Sequence, residues 1–522
     1  MGRIRIVMIA GLLAPAAALM PATAGSAAPS LEPRSAAATS TLAVIKTITV
    51  GDGPVGVAIN DVDDTVYVTN TDSENVSVIS GVTGTVADSI SLVDYGAPSS
   101  VAVNDLDDTV YVATQGPDDG FGFAQTVVVI NGRVGTVEDT ISDGLSYGPV
   151  DVAVNDLDDT VYVTEFFANT SLVIDGRTNA WDFDATFSGA FQAVAVNQVD
   201  DTVYLIENAL GTMSVMNGRD INDMTSITVA GEYDPLYVAV NQADDTVYVA
   251  NDSGTVSVIN GRTNTWDGTI TAAGQYDPRG LAVDQVNDTV YVANDSGTVS
   301  VINGRTNTWD DTIAVGSGLR GVAVDGSGTH AGLVYVTNSR ADSVSVIGRV
   351  TPSLGSTTGR AGSTTTVALD VPQVAYDVDD ATITSVSFGG RRATGLAADV
   401  GDAWNLTVPA GTGTVPVTVT FKGGLKASAG SFTYSPPEPS ITITGTRDGQ
   451  RITVTGTATG LTGKTLRPWI RFSGQSAYSE GTAVITPTAN GTFTWSRKTG
   501  KKTYVYIAHE ATKSNTVSIP AR

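Results

Sequence analysis

Three aspartates and an asparagine stand directly ahead of a β-branched run in "NDVDDTVYVTN", residues 60 to 70. Clustered carboxylates could chelate a cation or share a proton in acid–base catalysis, whereas Asx side chains could close a turn by accepting backbone N–H groups. The phrase returns as "NDLDDTVYVAT" at 104, "NDLDDTVYVTE" at 155, "NQVDDTVYLIE" at 197, "NQADDTVYVAN" at 241 and "DQVNDTVYVAN" at 284. It departs from the calcium-loop pattern D-x-[DN]-x-[DN]-G, lacking the turn glycine and the distal glutamate. The reading adopted is a turn, with no resident metal or cofactor and a weak surface calcium contact as the alternative.

A counter-charge accompanies these turns. "INGR" at 130, "IDGR" at 174, "MNGR" at 216 and "INGR" at 259 and 302 each read as an Asn-Gly or Asp-Gly hairpin signal followed by Arg133, Arg177, Arg219, Arg262 or Arg305. In a four-stranded meander the first and third turns leave on one face, so acidic and basic rings should meet there. At least some of these arginines are therefore expected to brace aspartates of their own or a neighbouring blade, with Asp63, Asp64, Asp107, Asp108, Asp158 and Asp159 as the candidates and each exposed pair contributing about 0.2–1 kcal/mol.

The elements that would position such turns repeat. Aligning on the alanine of each VAV-type segment gives Ala58, Ala102, Ala153, Ala195, Ala239, Ala282 and Ala323, at spacings of 44, 51, 42, 44, 43 and 41. A typical unit holds four strand-like pieces, "YVAVN", "DTVYVAN", "GTVSVIN" and "DGTI", separated by Asp, Gly and Asn turn signals. The seventh unit, ending in "DSVSVIGRV", lacks a fourth strand, while "TLAVIKTITV" (41–50) is a spare strand ahead of the first. If the spare strand completes the seventh sheet, the repeat closes into a ring without an unpaired edge. The fold predicted is all-β: a seven-bladed β-propeller over 41–350, with 41–50 closing blade seven, followed by two immunoglobulin-like β-sandwiches. An open β-solenoid, with both ends exposed, is the alternative.

"YVTN" at 67–70 and 335–338, with variants "YVTE" at 162 and "YVAN" at 248 and 291, follows a VAV strand and precedes an SVI strand each time. This resembles the YVTN family of β-propeller repeats of exported and surface-layer proteins, and implies a fold and a surface location rather than an activity. Trp-Asp pairs at 181, 266 and 309 fall before the fourth strand and lack a Gly-His partner, against a WD40 reading. Further on, "ITSVSFGG" (383–390), "LTVPAGTGTVPVTVTFKGG" (406–424) and "GSFTYSP" (430–436) are similar to the IPT/TIG type of immunoglobulin-like domain. That resemblance implies a β-sandwich at 351–435 acting as a spacer or adhesion module. After "SPPEPS", residues 441–522 suit a second sandwich.

Composition narrows the function. Arg3, Arg5, the apolar "IVMIAGLLAPAAALM" and Ala22-Thr23-Ala24 read as a signal peptide over 1–24, with a linker over 25–40, and predict secretion. No later stretch suggests a transmembrane segment. The absence of cysteine removes thiol catalysis, disulfides and cysteine-ligated metals. The net charge of −25 disfavours nucleic acid as a partner of the acidic part. Residues 438–522 instead carry 11 Lys and Arg against 4 Asp and Glu, which makes the tail a candidate for contact with an anionic surface.

Catalysis finds little support. His330, in "DGSGTHAGLVYV", reads as a surface histidine on a lengthened turn, and His509 belongs to the last domain. "GDGPVG" (51–56) and "GSGLRG" (316–321) precede strands, so they lack the helix terminus of a phosphate cradle. The face opposite the acidic turns is the expected ligand face. Its loops carry Tyr95, Tyr147, Phe191, Tyr233 and Tyr276, together with Phe121, Phe123, Phe166 and Phe167. Of these, Phe121, Phe123, Phe166, Phe167, Tyr233 and Tyr276 are the ligand candidates, although Tyr233 and Tyr276 could equally plug between blades. The reading adopted is a secreted, non-enzymatic binding or adhesion protein with a protein or cell-wall glycan ligand, compatible with cell-surface association. An extracellular lyase- or lactonase-type propeller enzyme, with carboxylates at the channel mouth, and a structural envelope component are the alternatives.

Overall fold

The computed structural model describes residues 37–522 apart from 119–122, 143–144, 146–147, 166–169, 182–186, 189, 219, 230–233, 272–276, 375–382, 399–402, 423 and 437. Among the described residues the regular elements are β-strands and a 3-10 turn at Asn208–Leu210. In the first repeat, Pro54–Asn60, Thr65–Asn70, Asn75–Ser80 and Thr85–Ser91 pair in order as an antiparallel sheet. Six further sheets follow, with innermost strands Ala97–Asn104, Pro149–Asn155, Ala193–Asn197, Pro235–Asn241, Pro278–Asp284 and Leu319–Val324. Each innermost strand lies against the next, and the seventh lies against the first, so the sheets are the blades of a closed β-propeller.

Blade seven takes its outer strand from the other end of the repeat array. Thr41–Thr49 pairs antiparallel with Ser343–Leu354, Thr41 opposite Val350 and Thr49 opposite Ser343. Polar contacts add to this closure: the Thr337 hydroxyl donates to the Val55 carbonyl at 2.9 Å, and the Gly53 N–H donates to Asp342 at 3.1 Å.

The near-continuous apolar strands are explained by burial on both faces. Val66, Tyr67 and Val68 are fully buried, and the equivalent tyrosines Tyr111, Tyr162, Tyr204, Tyr248, Tyr291 and Tyr335 are buried likewise. Each of these aromatic rings fills the gap to the next blade; Tyr67, for example, packs with Val110, Val112, Val128 and Ile130 of blade two. Burying one such side chain stabilises the fold by about 1.5–3 kcal/mol.

Register irregularities recur where they have consequences. The innermost strands slip at Pro98/Ser100, Pro149/Asp151, Pro235/Tyr237 and Pro278/Gly280, just after an entry proline that has no N–H to pair. The third and fourth strands slip at Val78/Ile79, Val129/Ile130, Val258/Ile259 and Val301/Ile302. Trp266 and Trp309 lie within fourth strands, not in the loops before them.

The propeller continues into the next domain without a linker. Ser343–Leu354 crosses residue 350, and its last residues, Thr351–Leu354, pair with Val367–Asp370. This strand belongs to one sheet of the following domain; the facing sheet contains Ile383–Phe388, Thr414–Phe421 and Lys426–Tyr434. Val350, Val367, Phe388, Phe421 and Phe432 share a core with Ile45 and Leu333 of the propeller. Near the start of the described chain, Ala38 bridges to Ala429, and the Thr39 N–H donates to the Ser428 carbonyl at 2.9 Å. Residues 440–519 form two more sheets around Ile443, Ile452, Val454, Phe493, Trp495 and Val505.

Candidate functional site

On the face where the acidic turns lie, the repeated phrase performs three jobs. Its asparagine caps the turn, as Asn60 Oδ1 accepts the Val62 N–H at 2.9 Å. In four repeats the first aspartate of the pair caps the following strand: Asp63 and Asp107 accept from the Thr65 and Thr109 N–H groups, each at 3.0 Å, and Asp200 and Asp244 do the same for Thr202 and Thr246. The second adopts a left-handed backbone, with φ 60° at Asp64, 69° at Asp108, 66° at Asp159, 64° at Asp201, 68° at Asp245 and 55° at Asp288. Asp tolerates that region because its short polar side chain can hydrogen-bond locally.

The same aspartates meet the arginines. Nε of Arg133, Arg177, Arg262 and Arg305 lies 3.7, 3.9, 3.7 and 3.6 Å from Asp108, Asp159, Asp245 and Asp288, each pair within its own blade. These guanidinium groups are mostly exposed. Arg177 also donates to the Asp158 carbonyl at 3.2 Å, and Arg219 lies outside the described residues. The Asn-Gly signal at Asn131 lies in the hairpin expected between third and fourth strands, with a turn longer than two residues. Strands end at Asn131 and resume at Thr136, with Gly135 left-handed at φ 66°. Gly132 is needed for another reason, since a Cβ there would collide with Asp108 and the Tyr67 hydroxyl.

Contacts between blades were not anticipated from the sequence. The Asn60, Asn104, Asn155, Asn197 and Asn241 amides each donate to the second aspartate of the next blade, Asp108, Asp159, Asp201, Asp245 and Asp288, at 2.8–3.0 Å. Nearer the axis, the Asp61 N–H donates to Asp105 at 3.2 Å, Gln198 donates to Asp156 at 3.1 Å, and the Gly326 N–H returns to Asp61 at 2.9 Å. Burial, reinforced by neighbouring carboxylates, pushes Asp105 up to about 7; burial, partly offset by hydrogen bonds, pushes Asp156 up to about 6.

A different set of residues converges in the centre. A cavity of about 320 Å³ is lined by the innermost strands of all seven blades, including Ser100, Asp151, Gln192, Tyr237, Arg279 and Arg320. These residues stand two or three positions before the aligned alanines, in the entry half of each strand. The register slips at Ser100, Asp151 and Tyr237 coincide with them, as expected of bulges that re-aim side chains. Asp151 is held as an acceptor by the Ser100 hydroxyl at 2.7 Å and by the Val152 and Val194 N–H groups, both at 3.0 Å. Burial raises its pKa and these hydrogen bonds oppose the rise.

Burial likewise raises the pKa of the Tyr237 hydroxyl, while Arg279 and Arg320 oppose the rise and Arg279 hydrogen-bonds it. Arg279 also pairs with Asp277 at 2.5 Å, yet its buried Nε–H meets no acceptor among the described residues. The arrangement can hold a negatively charged or hydroxyl-rich group between two cations and a phenol.

The sequence matches no protein-family model and no curated protein. Among solved structures, a chain of Kuenenia stuttgartiensis Hydrazine Synthase is similar, with a TM-score of 0.47 and 14% identity over 56% of this chain and 95% of that one.

The predicted ligand face is only partly visible. Phe121, Phe166, Phe167, Tyr147, Tyr233 and Tyr276 lie outside the described residues, and Phe123 is described only as the first residue of the strand Phe123–Asn131. Phe191 is buried at 1% exposure against Tyr162 and Val194, so it is core rather than ligand surface. His330 is also a correction: it is 6% exposed, with Nδ1 2.9 Å from Asp64, because its lengthened turn folds against blade one. The channel residues did leave a signal, since their positions vary from repeat to repeat inside an otherwise constant frame.

Proposed function

We propose that the protein is a secreted, non-enzymatic binding protein whose propeller takes an anionic group of an extracellular glycan or protein into its central channel. The observation that carries this reading is the axial meeting of Arg279, Arg320 and Tyr237, with a buried Nε–H of Arg279 that has no acceptor among the described residues. Arginine suits carboxylate and phosphate because its rigid fork presents parallel donors. The lyase or lactonase reading is weaker. The carboxylate lining the channel, Asp151, has both oxygens occupied by donors, which suits a structural acceptor better than a general base.

Membership of the YVTN repeat type, immunoglobulin-type modules after the propeller and export by a signal peptide complete the reading. Its cell-surface association is supported by the last domain, where basic side chains lie over aromatic rings. Trp469 stacks on Tyr506 at 5.8 Å, Arg471 lies 4.4 Å from the Tyr504 ring, and Lys502 and Lys513 lie within 5.7 Å of Tyr504 and Tyr506. Such a face suits an anionic polymer.

The test is affinity electrophoresis of the full chain in gels containing an acidic polysaccharide, a teichoic-acid-type polyphosphate or a neutral glucan. Retardation by an anionic polymer, relieved in the Arg279→Ala/Arg320→Ala double variant, is the expected result. Equal retardation of the double variant would remove the channel from the binding site. Ordered self-assembly of the purified protein without any ligand would favour the structural-envelope alternative.

A further inference from the structure

The seam between blade seven and blade one departs from the pattern of five others. At five seams a neutral asparagine amide faces the second aspartate of the next blade. At this seam the asparagine position, two residues after the aligned alanine, is occupied by Asp325, and the facing aspartate is Asp64. Two carboxylates thus meet where one carboxylate and one amide meet elsewhere.

Asp325 is fully buried; its Oδ1 accepts the Ser327 N–H at 3.3 Å, while its Oδ2 has no partner among the described residues. Removing a carboxylate from water is costly unless it is paired or coordinates a metal. Asp284, the other aspartate at an asparagine position, has no such deficit, because it accepts from the Val286 N–H and from the Asn287 N–H and amide at 2.7–3.0 Å.

His330 completes the arrangement. The turn between Leu319–Val324 and Val334–Asn338 is longer than its counterparts and brings the imidazole, 6% exposed, to both carboxylates. One donor atom from each of Asp64, Asp325 and His330 lies within 4.8 Å of the others. The 2.9 Å separation of Asp64 Oδ2 and His330 Nδ1, a direct hydrogen-bond distance, is also close to the spacing of about 3.0 Å between adjacent ligands of an octahedral ion with bonds of about 2.1 Å, and a tetrahedral ion would part them by about 0.5 Å more. Asp61 stands alongside but is engaged: its Oδ1 accepts the Gly326 N–H, and its carbonyl accepts the Ser327 hydroxyl.

We propose that Asp64, Asp325 and His330 form a divalent-cation site that clasps the first blade to the seventh. One imidazole and two carboxylates, without thiolate, suit a first-row transition ion such as Zn2+ or Mn2+ better than Ca2+, which takes all-oxygen sites of higher coordination number. This cation reinforces the closure that the strand Thr41–Thr49 makes at the outer edge of the same blade.

The experiment compares thermal melts and titration calorimetry of the chelator-dialysed full chain with and without Zn2+ or Mn2+. One ion per chain and a rise in Tm of roughly 2–6 °C at saturating metal are expected, since a ligand that binds only the folded state stabilises it. Asp325→Asn restores the amide–carboxylate contact of the other seams, so it should fold and lose the metal-dependent shift. His330→Gln, which keeps both carboxylates, is a second variant with the same expected loss. A wild-type Tm indifferent to both metals overturns the proposal, as does metal binding by either variant equal to wild type.

Discussion

The turn face and the channel are built from the same seven repeats, yet they use them in opposite ways. On the turn face one side chain does the same work blade after blade: five asparagine amides reach five aspartates at 2.8–3.0 Å. In the channel, the position two before the aligned alanine is Gly56, Ser100, Asp151, Ala193, Tyr237, Gly280 and Gly321 in turn. A position repeated around a ring is answering a requirement of the ring. Where the channel position is Gly280 or Gly321 the ring still dictates it, since a Cβ would collide with the carbonyl of Arg320 or Val55 in the next blade. Where it carries Ser100, Asp151 or Tyr237 it lines the cavity and can serve a ligand. The turn face departs from its own rule where Asp284 and Asp325 replace the amide.

This contrast makes turn-face and inter-blade groups the ones whose loss should be felt in stability. The largest effect is expected for Tyr111→Ala, which empties an inter-blade site and deprives the Gly176 carbonyl of a hydroxyl at 3.3 Å. A loss of about 3–5 kcal/mol, read by denaturant unfolding, is expected. Asn104→Ala removes the amide from Asp159 and the cap from the Leu106 N–H, for a loss of about 1–3 kcal/mol in the same assay.

The axial carboxylates give a pH test. Asp105 rises from 3.8 to about 7 on folding, so the folded chain holds this proton more tightly than the unfolded chain. Raising the pH through that window therefore favours unfolding, and stability from this group falls between about 4 and 7. Melting curves across that range should flatten in Asp105→Asn; an unchanged slope would show that the carboxylate stays ionised throughout.

Smaller still is Arg177→Ala, whose guanidinium is 69% exposed and 3.9 Å from Asp159. About 0.2–1 kcal/mol is expected. Arg320→Ala should fall within about 0.5 kcal/mol of wild type while weakening the retention of the chain by an anionic polymer. A channel variant that unfolds the protein, or a turn-face variant that leaves stability intact while abolishing binding, would reverse the comparison.

Much of the architecture was legible because its signals are local. Strand and Asx turn are decided within each repeat of 41 to 51 residues, and the missing fourth strand of the seventh unit could be counted against the spare strand at 41–50. His330 misled because a glycine-rich turn with one histidine looks solvent-exposed until its far contact with Asp64 is known. The boundary expected at 350 falls inside a strand because Ser343–Leu354 pairs with the propeller through its first residues and with the next domain through its last.

What the sequence determined by itself, then, was the unit and its repetition, since strand periodicity and turn chemistry act over a few residues. Which side chains would meet was decided by closing the ring. Asp151, Tyr237, Arg279 and Arg320 belong to four blades and share a cavity only because seven innermost strands converge on one axis. Asp64 and Asp325, one from each end of the array, face each other for the same reason. Neither meeting is encoded in any single repeat, because each depends on the angle through which every blade turns the next.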